Sequence, residues 1–426
     1  MRKLLLLPAI PAAIALSAIG AAGRTPSVPP PTPVPPKGSP SPFPTVLATP
    51  TPSLHRPPVS SSAAILEDVD TGQVLYARRP DEPRAIASLT KIMTALVVLH
   101  RAGPRDMVTV SAEAARLGSE NVGLSELGLK EGEHLTVGQL LYAMMLQSAN
   151  DAAVALADHV SASTDAFIAL MNREAARDGF THTKFYSPNG LDDRGYSSAR
   201  SLAAMTRLAE QDPEFGRIVR TKFHVVPPPP GGEPRHIQNR NVLLWLYPGA
   251  TGVKTGFTTK SEYCLVATAE LHGARFVAVV LGDPTSSASF GDAASLLNYG
   301  FDAFVRRPIV SKGGALPPIR FRHLQYPLQA AAPLEAWVPA ASVDQPSVTI
   351  DIRPLQNSPR VDSRVGEATF SLHGQVLGRV PVSVSGPPRI APPPAASHRV
   401  VTLPWWRRGV DTMNRAAGGL FHAIFG

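Results

Sequence analysis

The sequence predicts an α+β protein in which strands from the two ends of one domain pair in the same sheet. Strand-like runs occur early in that domain, as "AAILEDV" and "QVLYARR", and return late, as "TGVKTGFT", "YCLVATAEL" and "RFVAVVLGD". Helical patterns lie between them, over residues 88–99 and in "DAAVALADHV", and "SFGDAASLLNYGFDAFV" closes the region as a helix near Arg306. Strands at both ends with helices between them indicate one α+β domain.

Residues 1–23 have the organisation of a signal peptide. Arg2 and Lys3 precede the apolar run "LLLLPAIPAAIALSAIGAA", which ends in small residues suited to cleavage near residues 20–23. The run is also close to the length that spans a bilayer, so a retained N-terminal anchor stays open as an alternative. The sequence therefore predicts an exported protein.

Proline and glycine divide the rest of the chain. Residues 24–58 are too rich in Pro and Ser for helices or sheet ladders and are predicted to form a semi-rigid spacer. A globular domain follows over residues 59–310, and its first two strand-like runs flank "DTG", a Gly-containing turn that predicts a β-hairpin. Short alternating segments such as "SVTIDIR" predict a small β domain over residues 311–386, and a second Pro-rich spacer follows over residues 387–404.

The composition narrows the classes of function. The chain carries 41 Lys and Arg against 33 Asp and Glu, and its net charge of +8 suits an anionic membrane surface or polymer, although many soluble proteins carry as much. The one cysteine allows no intramolecular disulfide, and Cys264 lies in an apolar segment where a buried side chain is expected. The histidines form no zinc-ligand pattern, and no basic patch with interleaved aromatics or Gly-rich phosphate loop is present, so neither a metal nor a nucleic acid is expected.

The segment "AIASLTKIMTAL" places Ser88 and Lys91 three residues apart at the start of an apolar helix. Positions i and i+3 share a helix face, so the hydroxyl and the amine would be neighbours. S-x-x-K is a weak signal when it stands alone, because it occurs by chance in many helices. Two further segments strengthen it, since "SANDA" supplies Ser148 and Asn150 and "VKTGFT" supplies the triplet 254–256. S-x-x-K, S-x-N and K-T-G in this order form the signature of penicillin-binding proteins and class A β-lactamases.

At these motifs the chain resembles the low-molecular-mass D-alanyl-D-alanine carboxypeptidases, which are serine-type penicillin-binding proteins. The resemblance covers nearly all of residues 59–310 and includes "YSPNGLDDRGYSSARSLA", "IQNRNVLL", "GATGVKTGFT" and "YCLVATA". It implies a DD-peptidase/β-lactamase-like domain, built from an antiparallel sheet with helices, then a small β domain and a C-terminal amphipathic helix. It also implies an exported enzyme that removes the terminal D-alanine from peptidoglycan pentapeptides, needs no metal or organic cofactor, and is inhibited covalently by β-lactam antibiotics.

The residue types suit an acyl-transfer reaction. A Ser hydroxyl is a weak nucleophile, so Ser88 needs an adjacent base, and Lys91 can be that base only if its pKa is lowered. Burial on the sheet side of its helix and the positive charge of Lys254 would both favour the neutral amine. Ser148 is expected to relay a proton to the leaving nitrogen, and Asn150 to hold the lysine amine and the substrate amide.

The K-T-G triplet is expected to bind the substrate. Lys254 and Thr255 suit the free carboxylate of the terminal D-alanine, one by its charge and the other by its hydroxyl. Gly256 would let the substrate backbone lie close against the strand.

Two further roles follow from the resemblance alone. The backbone NH groups of Ser88 and Phe257 would form the oxyanion hole, and Arg240 in "NRN" would help to attract the substrate carboxylate. A surface arginine beside a loop is the alternative for Arg240. The Pro run over residues 226–234 departs from the family pattern and is expected to alter a loop near the cleft.

Three alternative functions stay open. A β-lactamase shares the acylation machinery but needs a loop glutamate for fast deacylation, and no glutamate between Asn150 and Lys254 lies in an E-x-x-L-N context. Those glutamates are Glu174, Glu210, Glu214 and Glu233. A D,D-endopeptidase would cut cross-links with the same residues, although relatives of that kind are typically shorter and lack the β domain and the tail. A wall-binding protein with a dead site is disfavoured by the intact catalytic set, and covalent penicillin labelling would distinguish it.

Residues 405–426, "WWRRGVDTMNRAAGGLFHAIFG", are predicted to form an amphipathic helix. At roughly 100° per residue, six apolar residues fall within about 40° of one line along the helix: Trp406, Val410, Met413, Ala417, Leu420 and Ile424. The other side carries Arg407, Arg408, Asp411, Arg415 and His422. The segment is too short and too charged to span a bilayer, so it is expected to lie on an anionic membrane surface. The resemblance to the carboxypeptidases implies that this surface is the outer face of the cytoplasmic membrane. A helix packed on the protein's own β domain is the alternative.

Overall fold

The computed structural model of the protein describes residues 56–120, 125–228 and 231–390. The predicted signal peptide, nearly all of the first spacer, most of the second spacer and the C-terminal segment 405–426 lie outside these residues. All candidate residues for catalysis and substrate binding lie inside them.

The predicted α+β domain is built on an antiparallel sheet. Among the described residues this sheet has five strands, in the spatial order Val74–Arg78, Ala63–Asp68, Ala274–Asp283, Glu262–Leu271 and Ala250–Thr258. The first of these strands in the chain pairs with the last, with Ala63 opposite Leu281 and Asp68 opposite Phe276. The prediction that the two ends of the domain share one sheet is therefore confirmed. Two short pairs lie outside this sheet, Met107–Thr109 with His134–Thr136 and Phe223–Val226 with Arg235–Gln238.

Both faces of the sheet are covered. Along Ala63–Asp68 every residue is buried, because alternate side chains point into two different cores. Ile65 packs into a core shared with the central helices, and Leu66 packs into a second core shared with the helix Ser286–Ala303. Burial on both faces explains the apolar run over residues 63–66, whereas the strand ends in two buried acids, Glu67 and Asp68.

The predicted S-x-x-K helix lies in the larger core. The 3₁₀ turn Ala87–Leu89 leads directly into the helix Thr90–Leu99. All residues from 90 to 98 are buried, because this helix has almost no polar face. Lys91, the one charged residue of the helix, is buried with it. The other helices in the described ranges are Ala112–Glu120, Val137–Tyr142, Asn150–Val160, Thr164–Arg177, Ala199–Ala209, Pro213–Val219, Leu243–Leu246 and Ser286–Ala303, with a π-helical stretch at Ala143–Gln147.

No single helix in the described part of the chain is long and apolar enough to cross a membrane. The helices Asn150–Val160 and Thr164–Arg177 together have the length and apolar composition of a membrane span, but they meet at an angle of 84°.

A β-rich region follows the helix Ser286–Ala303. Its larger sheet has the spatial order Ala315–Phe321, Leu324–Ala330, Gln375–Val384, Arg364–Leu372 and Ser347–Ile352, and Arg389–Ile390 pairs with the second of these strands. Phe304–Val310 pairs with Leu334–Pro339, and Ile309 packs into the core of this region. The helix Ser286–Ala303 leads without a break into the strand Phe304–Val310, which precedes the boundary predicted after residue 310 and pairs with a strand that follows it.

The β-rich region contacts the five-stranded sheet through Trp337. The side chain of Gln73 donates to the Trp337 carbonyl at 2.6 Å and accepts from the Trp337 backbone NH at 2.8 Å. The indole NH donates to Asp68 at 2.9 Å, and the indole ring lies 5.1 Å from the ring of Phe276. Trp337 thus joins the β-rich region to the first domain by hydrogen bonds and by an aromatic contact.

Candidate active site

Ser88 and Lys91 meet at the first turn of the buried helix. The Nζ of Lys91 lies 3.0 Å from the Oγ of Ser88. Ser88 is half-buried, whereas Lys91 is fully buried. The chain enters this turn through Ala87, whose φ of 46° is unusual for a residue with a side chain. The i, i+3 spacing thus brings the hydroxyl to the amine.

The amine of Lys91 is surrounded by oxygen atoms. It donates to the side-chain oxygen of Asn150 at 2.8 Å and to the backbone carbonyl of Asn189 at 2.6 Å. Both of these oxygens can only accept. A neutral amine has two N–H bonds and one lone pair, so the two oxygens occupy its donors. The lone pair is then left for the Ser88 hydroxyl, which can donate a proton to it.

The charge state of Lys91 is set by burial and by its charged neighbours. Burial lowers the pKa of Lys91 from 10.5 to about 7, with the positive charge of Arg240 acting in the same direction and the carboxylates of Glu126 and Asp151 opposing it. The like charge that acts on Lys91 is thus that of Arg240, whereas Lys91 itself lowers the pKa of Lys254. Near neutral pH a large fraction of the Lys91 amine is therefore neutral.

The S-A-N segment crosses a break between two helices. The π-helical stretch Ala143–Gln147 ends at Ser148, whose φ of 68° and ψ of 29° lie in the left-handed region, and the next helix begins at Asn150. A non-glycine residue in this region is strained and persists where the surrounding structure enforces it. Both polar side chains are buried. The break is what allows Asn150 to reach Lys91 from the start of a separate helix.

The K-T-G triplet lies on Ala250–Thr258, at the edge of the sheet. Lys254 is buried and donates from Nζ to the carbonyl of Thr255 at 3.1 Å, while Thr255 is half-buried. Burial lowers the pKa of Lys254 well below 10.5, and the charges of Lys91 and Arg240 lower it further. An anion arriving beside Lys254 would favour its ammonium form, since an opposite charge at close range raises the pKa of an amine.

Gly256 packs closely against the turn that carries the nucleophile. A side chain here would meet the carbonyl oxygen of Ile86 at 2.9 Å and the side chain of Leu89 at 3.3 Å. The missing side chain makes room for the turn that carries Ser88, and the approach of a substrate backbone to Gly256 stays a prediction. This close packing brings the strand next to the nucleophile, as an oxyanion hole formed by Ser88 and Phe257 requires.

Gly190 supports the same turn from a separate loop. Its φ is +82°, and an added Cβ would overlap with the carbonyl oxygen of Ala87. We expect Gly190→Ala to lower the free energy of unfolding by about 3 kcal/mol or more, since both the backbone and the packing would be strained. Gly179→Ala is the matched control, with a φ of +74° but no atom within 4 Å of the added Cβ. It should cost only about 1 kcal/mol in urea unfolding, and equal losses for the two variants would contradict the proposed packing role.

Arg240 reaches the site from a neighbouring loop. Its guanidinium donates to the Ser125 hydroxyl at 2.9 Å, and its backbone NH donates to the Leu146 carbonyl at 3.1 Å. Its positive charge lowers the pKa of both Lys91 and Lys254. The structure therefore places Arg240 among the site's cations and not on a remote surface.

The side chain of Phe257 projects outward from the edge strand. It is 54% exposed, and its ring lies 4.4 Å from the ring of Tyr263 on the paired strand. The predicted role of Phe257 concerns its backbone NH, which the side-chain position does not test.

Two buried acids beside Lys91 were not among the predicted site residues. The carboxylate of Asp151 accepts backbone NH groups of residues 127–129 and 152, and the carboxylate of Glu126 accepts the side-chain NH of Asn150 at 2.9 Å. Asp151 carries a signal in the sequence, because an acid in the first turn of a helix is favoured by the helix dipole. Glu126 carries none, since it lies in a loop before the S-A-N segment.

The glutamates between Asn150 and Lys254 are engaged elsewhere or exposed. Glu174 pairs with Arg101, Glu210 pairs with Arg275, Glu214 pairs with Arg217, and Glu233 is exposed. None of these four glutamates is therefore placed as the loop glutamate that a β-lactamase needs for fast deacylation.

Comparison with known proteins shows which family this chain belongs to. The family model for D-alanyl-D-alanine carboxypeptidases matches residues 51–285, a range that includes the S-x-x-K, S-x-N and K-T-G segments. The chain belongs to this family. The resemblance stated from the motifs is thereby confirmed, and the β-rich region after Ala303 lies beyond the matched range.

Curated D-alanyl-D-alanine carboxypeptidases match the same part of the chain. DacF of Bacillus subtilis is 31% identical over 279 residues, which are 62% of this chain and 67% of that protein. DacC of Escherichia coli is 38% identical over 264 residues, which are 59% of this chain and 64% of that protein. The matched segment spans about two thirds of the length of these carboxypeptidases.

Solved structures resemble both parts of this carboxypeptidase-family chain. Penicillin binding protein 5 of Haemophilus influenzae has a TM-score of 0.65 at 28% identity and covers 78% of this chain and 99% of its own. A DD-transpeptidase of Streptomyces has a TM-score of 0.55 at 35% identity and covers 58% of this chain and 99% of its own. The predicted fold class, an antiparallel sheet with helices followed by a β-rich domain, is confirmed.

Proposed function

We propose that this protein is a serine-type D-alanyl-D-alanine carboxypeptidase that removes the terminal D-alanine of peptidoglycan pentapeptides through an acyl-enzyme on Ser88. The observation that carries this proposal is the environment of Lys91. Its two acceptor-only partners leave the lone pair of a neutral amine for the Ser88 hydroxyl. A hydroxyl with a neutral base at hydrogen-bond distance is an activated nucleophile, and membership of the family indicates the substrate class.

In the acylation step, the Oγ of Ser88 forms a bond to the carbonyl carbon of the penultimate D-alanine. The hydroxyl proton passes to the Nζ of Lys91, and the backbone NH groups of Ser88 and Phe257 stabilise the oxyanion. When the intermediate collapses, the C–N bond breaks and the leaving nitrogen receives a proton through Ser148. Free D-alanine departs, and an ester of the shortened peptide remains on Ser88.

In the deacylation step, water attacks this ester and restores the Ser88 hydroxyl. The water gives its proton to the neutral base, and the shortened peptide leaves as the free acid. A β-lactam acylates the same hydroxyl, but its leaving nitrogen stays tethered within the opened ring. The protein is therefore expected to form a long-lived adduct with penicillins.

The free carboxylate of the terminal D-alanine is proposed to bind Lys254, Thr255 and Arg240. These residues offer basic groups and a hydroxyl for the carboxylate, and Asn150 is proposed to contact the substrate amide. Because Lys254 is buried with a depressed pKa, the guanidinium of Arg240 supplies the charge that is present before the substrate arrives. An endopeptidase substrate has no such carboxylate, so this contact distinguishes the two activities.

Mass spectrometry of a pentapeptide ending in D-Ala-D-Ala, after incubation with the protein, tests the proposal. We expect loss of one alanine and no reaction with the same peptide ending in L-alanine. Amidation of the terminal carboxylate should slow the reaction about tenfold or more, the cost of a lost charged hydrogen bond. An amide processed as fast as the acid would indicate an endopeptidase. Absence of any alanine release would reject the proposal.

We propose that the protein is exported by residues 1–23 and that residues 405–426 hold it on the outer face of the cytoplasmic membrane. The amphipathic pattern and the three arginines of that segment support binding to anionic lipid. Flotation with anionic liposomes should recover the mature protein but not a chain ending at His398, and high salt should weaken the binding. Equal flotation of the two proteins, both without residues 1–23, would show that the tail is not the anchor.

A further inference from the structure

A buried carboxylate that the mechanism above does not use lies beside the catalytic amide. Glu126 is only 4% exposed. Its Oε1 accepts from the Nδ2 of Asn150 at 2.9 Å, and its Oε2 accepts from the backbone NH of Ser125 at 2.9 Å. Both carboxylate oxygens thus have a neutral donor within the protein.

The backbone around Glu126 is fixed by contacts to the S-A-N segment. The backbone NH of Asn150 donates to the carbonyl of Ser125 at 2.7 Å, and the side chain of Gln147 donates to the carbonyl of Glu126 at 2.9 Å. The next three NH groups of the loop, residues 127–129, converge on the carboxylate of Asp151. The loop therefore holds Glu126 against Asn150.

The hydrogen-bond chemistry of Glu126 determines which way the Asn150 amide faces. An ionised carboxylate can only accept, so it must meet the NH₂ end of the amide. The oxygen end of the amide then faces Lys91, where it accepts one N–H of the amine. If the amide were reversed, its NH₂ would face the amine donors and its oxygen would face the carboxylate.

We propose that Glu126 is a positioning residue for acylation, which orients the Asn150 amide and, through its charge, tunes the proton affinity of Lys91. This inference rests on the proposed function. Glu126 contacts neither Ser88 nor Lys91 by a hydrogen bond in the described residues, so it acts through Asn150 and through the electric field.

The charges around Lys91 determine whether Glu126 raises or lowers the proton affinity of its amine. Glu126 faces Lys91 from the loop and Asp151 faces it from the helix Asn150–Val160, and both carboxylates favour its ammonium form. Burial and the charge of Arg240 favour the neutral form. Lys254 lies on the edge strand, and its own pKa is lowered by the charge of Lys91. Removing the charge of Glu126 should therefore lower the proton affinity of Lys91.

Glu126→Gln tests the proposal through the pH dependence of acylation by a labelled penicillin. The variant keeps the size of the side chain but loses its charge and one acceptor. We expect the rate on the high-pH plateau to fall about tenfold, because the amide of Asn150 is no longer held in one orientation. We also expect the ascending limb to move to lower pH by on the order of one pH unit.

Glu126→Asp separates the two effects. The shorter side chain keeps the charge but loses reach toward Asn150, so the plateau should fall while the limb stays close to that of the wild type. Glu210→Gln is the control, since Glu210 is also a buried acid but pairs with Arg275 and Thr268 away from Lys91. It should leave both the plateau and the limb unchanged.

The outcomes separate the inference from the proposed function. A wild-type protein that is not acylated at all would reject the proposed function. A wild type that is acylated, with Glu126→Gln showing the same rate and the same limb, would overturn the positioning role. A lower plateau with an unmoved limb in a folded Glu126→Gln protein would show a purely structural contribution and would also overturn it.

Discussion

Ser88→Ala should abolish covalent labelling of the protein by a fluorescent penicillin. The Lys91 amine faces the hydroxyl of Ser88. The methyl side chain of alanine has no oxygen, so it cannot form an ester. Peptide mapping of the labelled wild type should place the whole of the label on the peptide that contains Ser88. Pentapeptide hydrolysis should be lost together with the labelling, because both reactions use the same oxygen.

The Ser88→Ala protein should remain folded, since the half-buried hydroxyl contributes about one hydrogen bond. Its thermal unfolding should lie close to that of the wild type. Wild-type protein that has been heat-denatured before the penicillin is added should not be labelled. Label that persists on folded Ser88→Ala would mean that another residue is the nucleophile.

Lys91→Arg should lower the acylation rate on the order of 10³-fold, although it keeps a long basic side chain at this position. A guanidinium stays protonated in proteins, so it has no lone pair to accept the Ser88 proton. The site of Lys91 is also fully buried, so the larger arginine would displace its oxygen partners. Stopped-flow or quench measurement of penicillin acylation gives the rate.

The pH profile identifies the reason for this loss. In the wild type, the pKa of Lys91 near 7 predicts that acylation rises with pH through this value. Below it the amine holds a proton on its lone pair, and above it the lone pair is free for Ser88. The limb should be absent in Lys91→Arg, whereas the control Lys222→Arg, at an exposed lysine 5.7 Å from the Trp245 ring, should retain it. Near-normal acylation by Lys91→Arg would assign the base to another group.

Much of the fold could be predicted because its signals are local in the chain. The N-terminal hairpin needs only two apolar runs and the turn between them, and it forms as expected from Ala63–Asp68 and Val74–Arg78. The spacing of Ser88 and Lys91 fixes their contact, since a helical turn leaves little freedom. The burial of Cys264 likewise follows from its apolar strand, and it is observed.

The parts of the site that could not be predicted depend on how distant loops close. Glu126 meets Asn150 across 24 positions of the chain, and nothing in its neighbouring residues distinguishes it from a surface glutamate. The partner of Lys91 at Asn189 is a backbone carbonyl, so the residue type carries no information about it. The packing of Gly256 against the Ser88 turn could not be predicted for a related reason, because the strand pattern does not show which element packs against it.

Trp337 limits where this chain can be shortened. Its indole covers part of the ring of Phe276, and its backbone satisfies the amide of Gln73. A fragment that stopped at Ala303 would expose part of the Phe276 ring to solvent and would leave the Gln73 amide without its hydrogen-bond partners. The newly exposed apolar surface would favour self-association. Crystallisation or inhibitor screening is therefore better served by a chain that keeps the whole β-rich region up to Ile390, even when only the reaction at Ser88 is of interest.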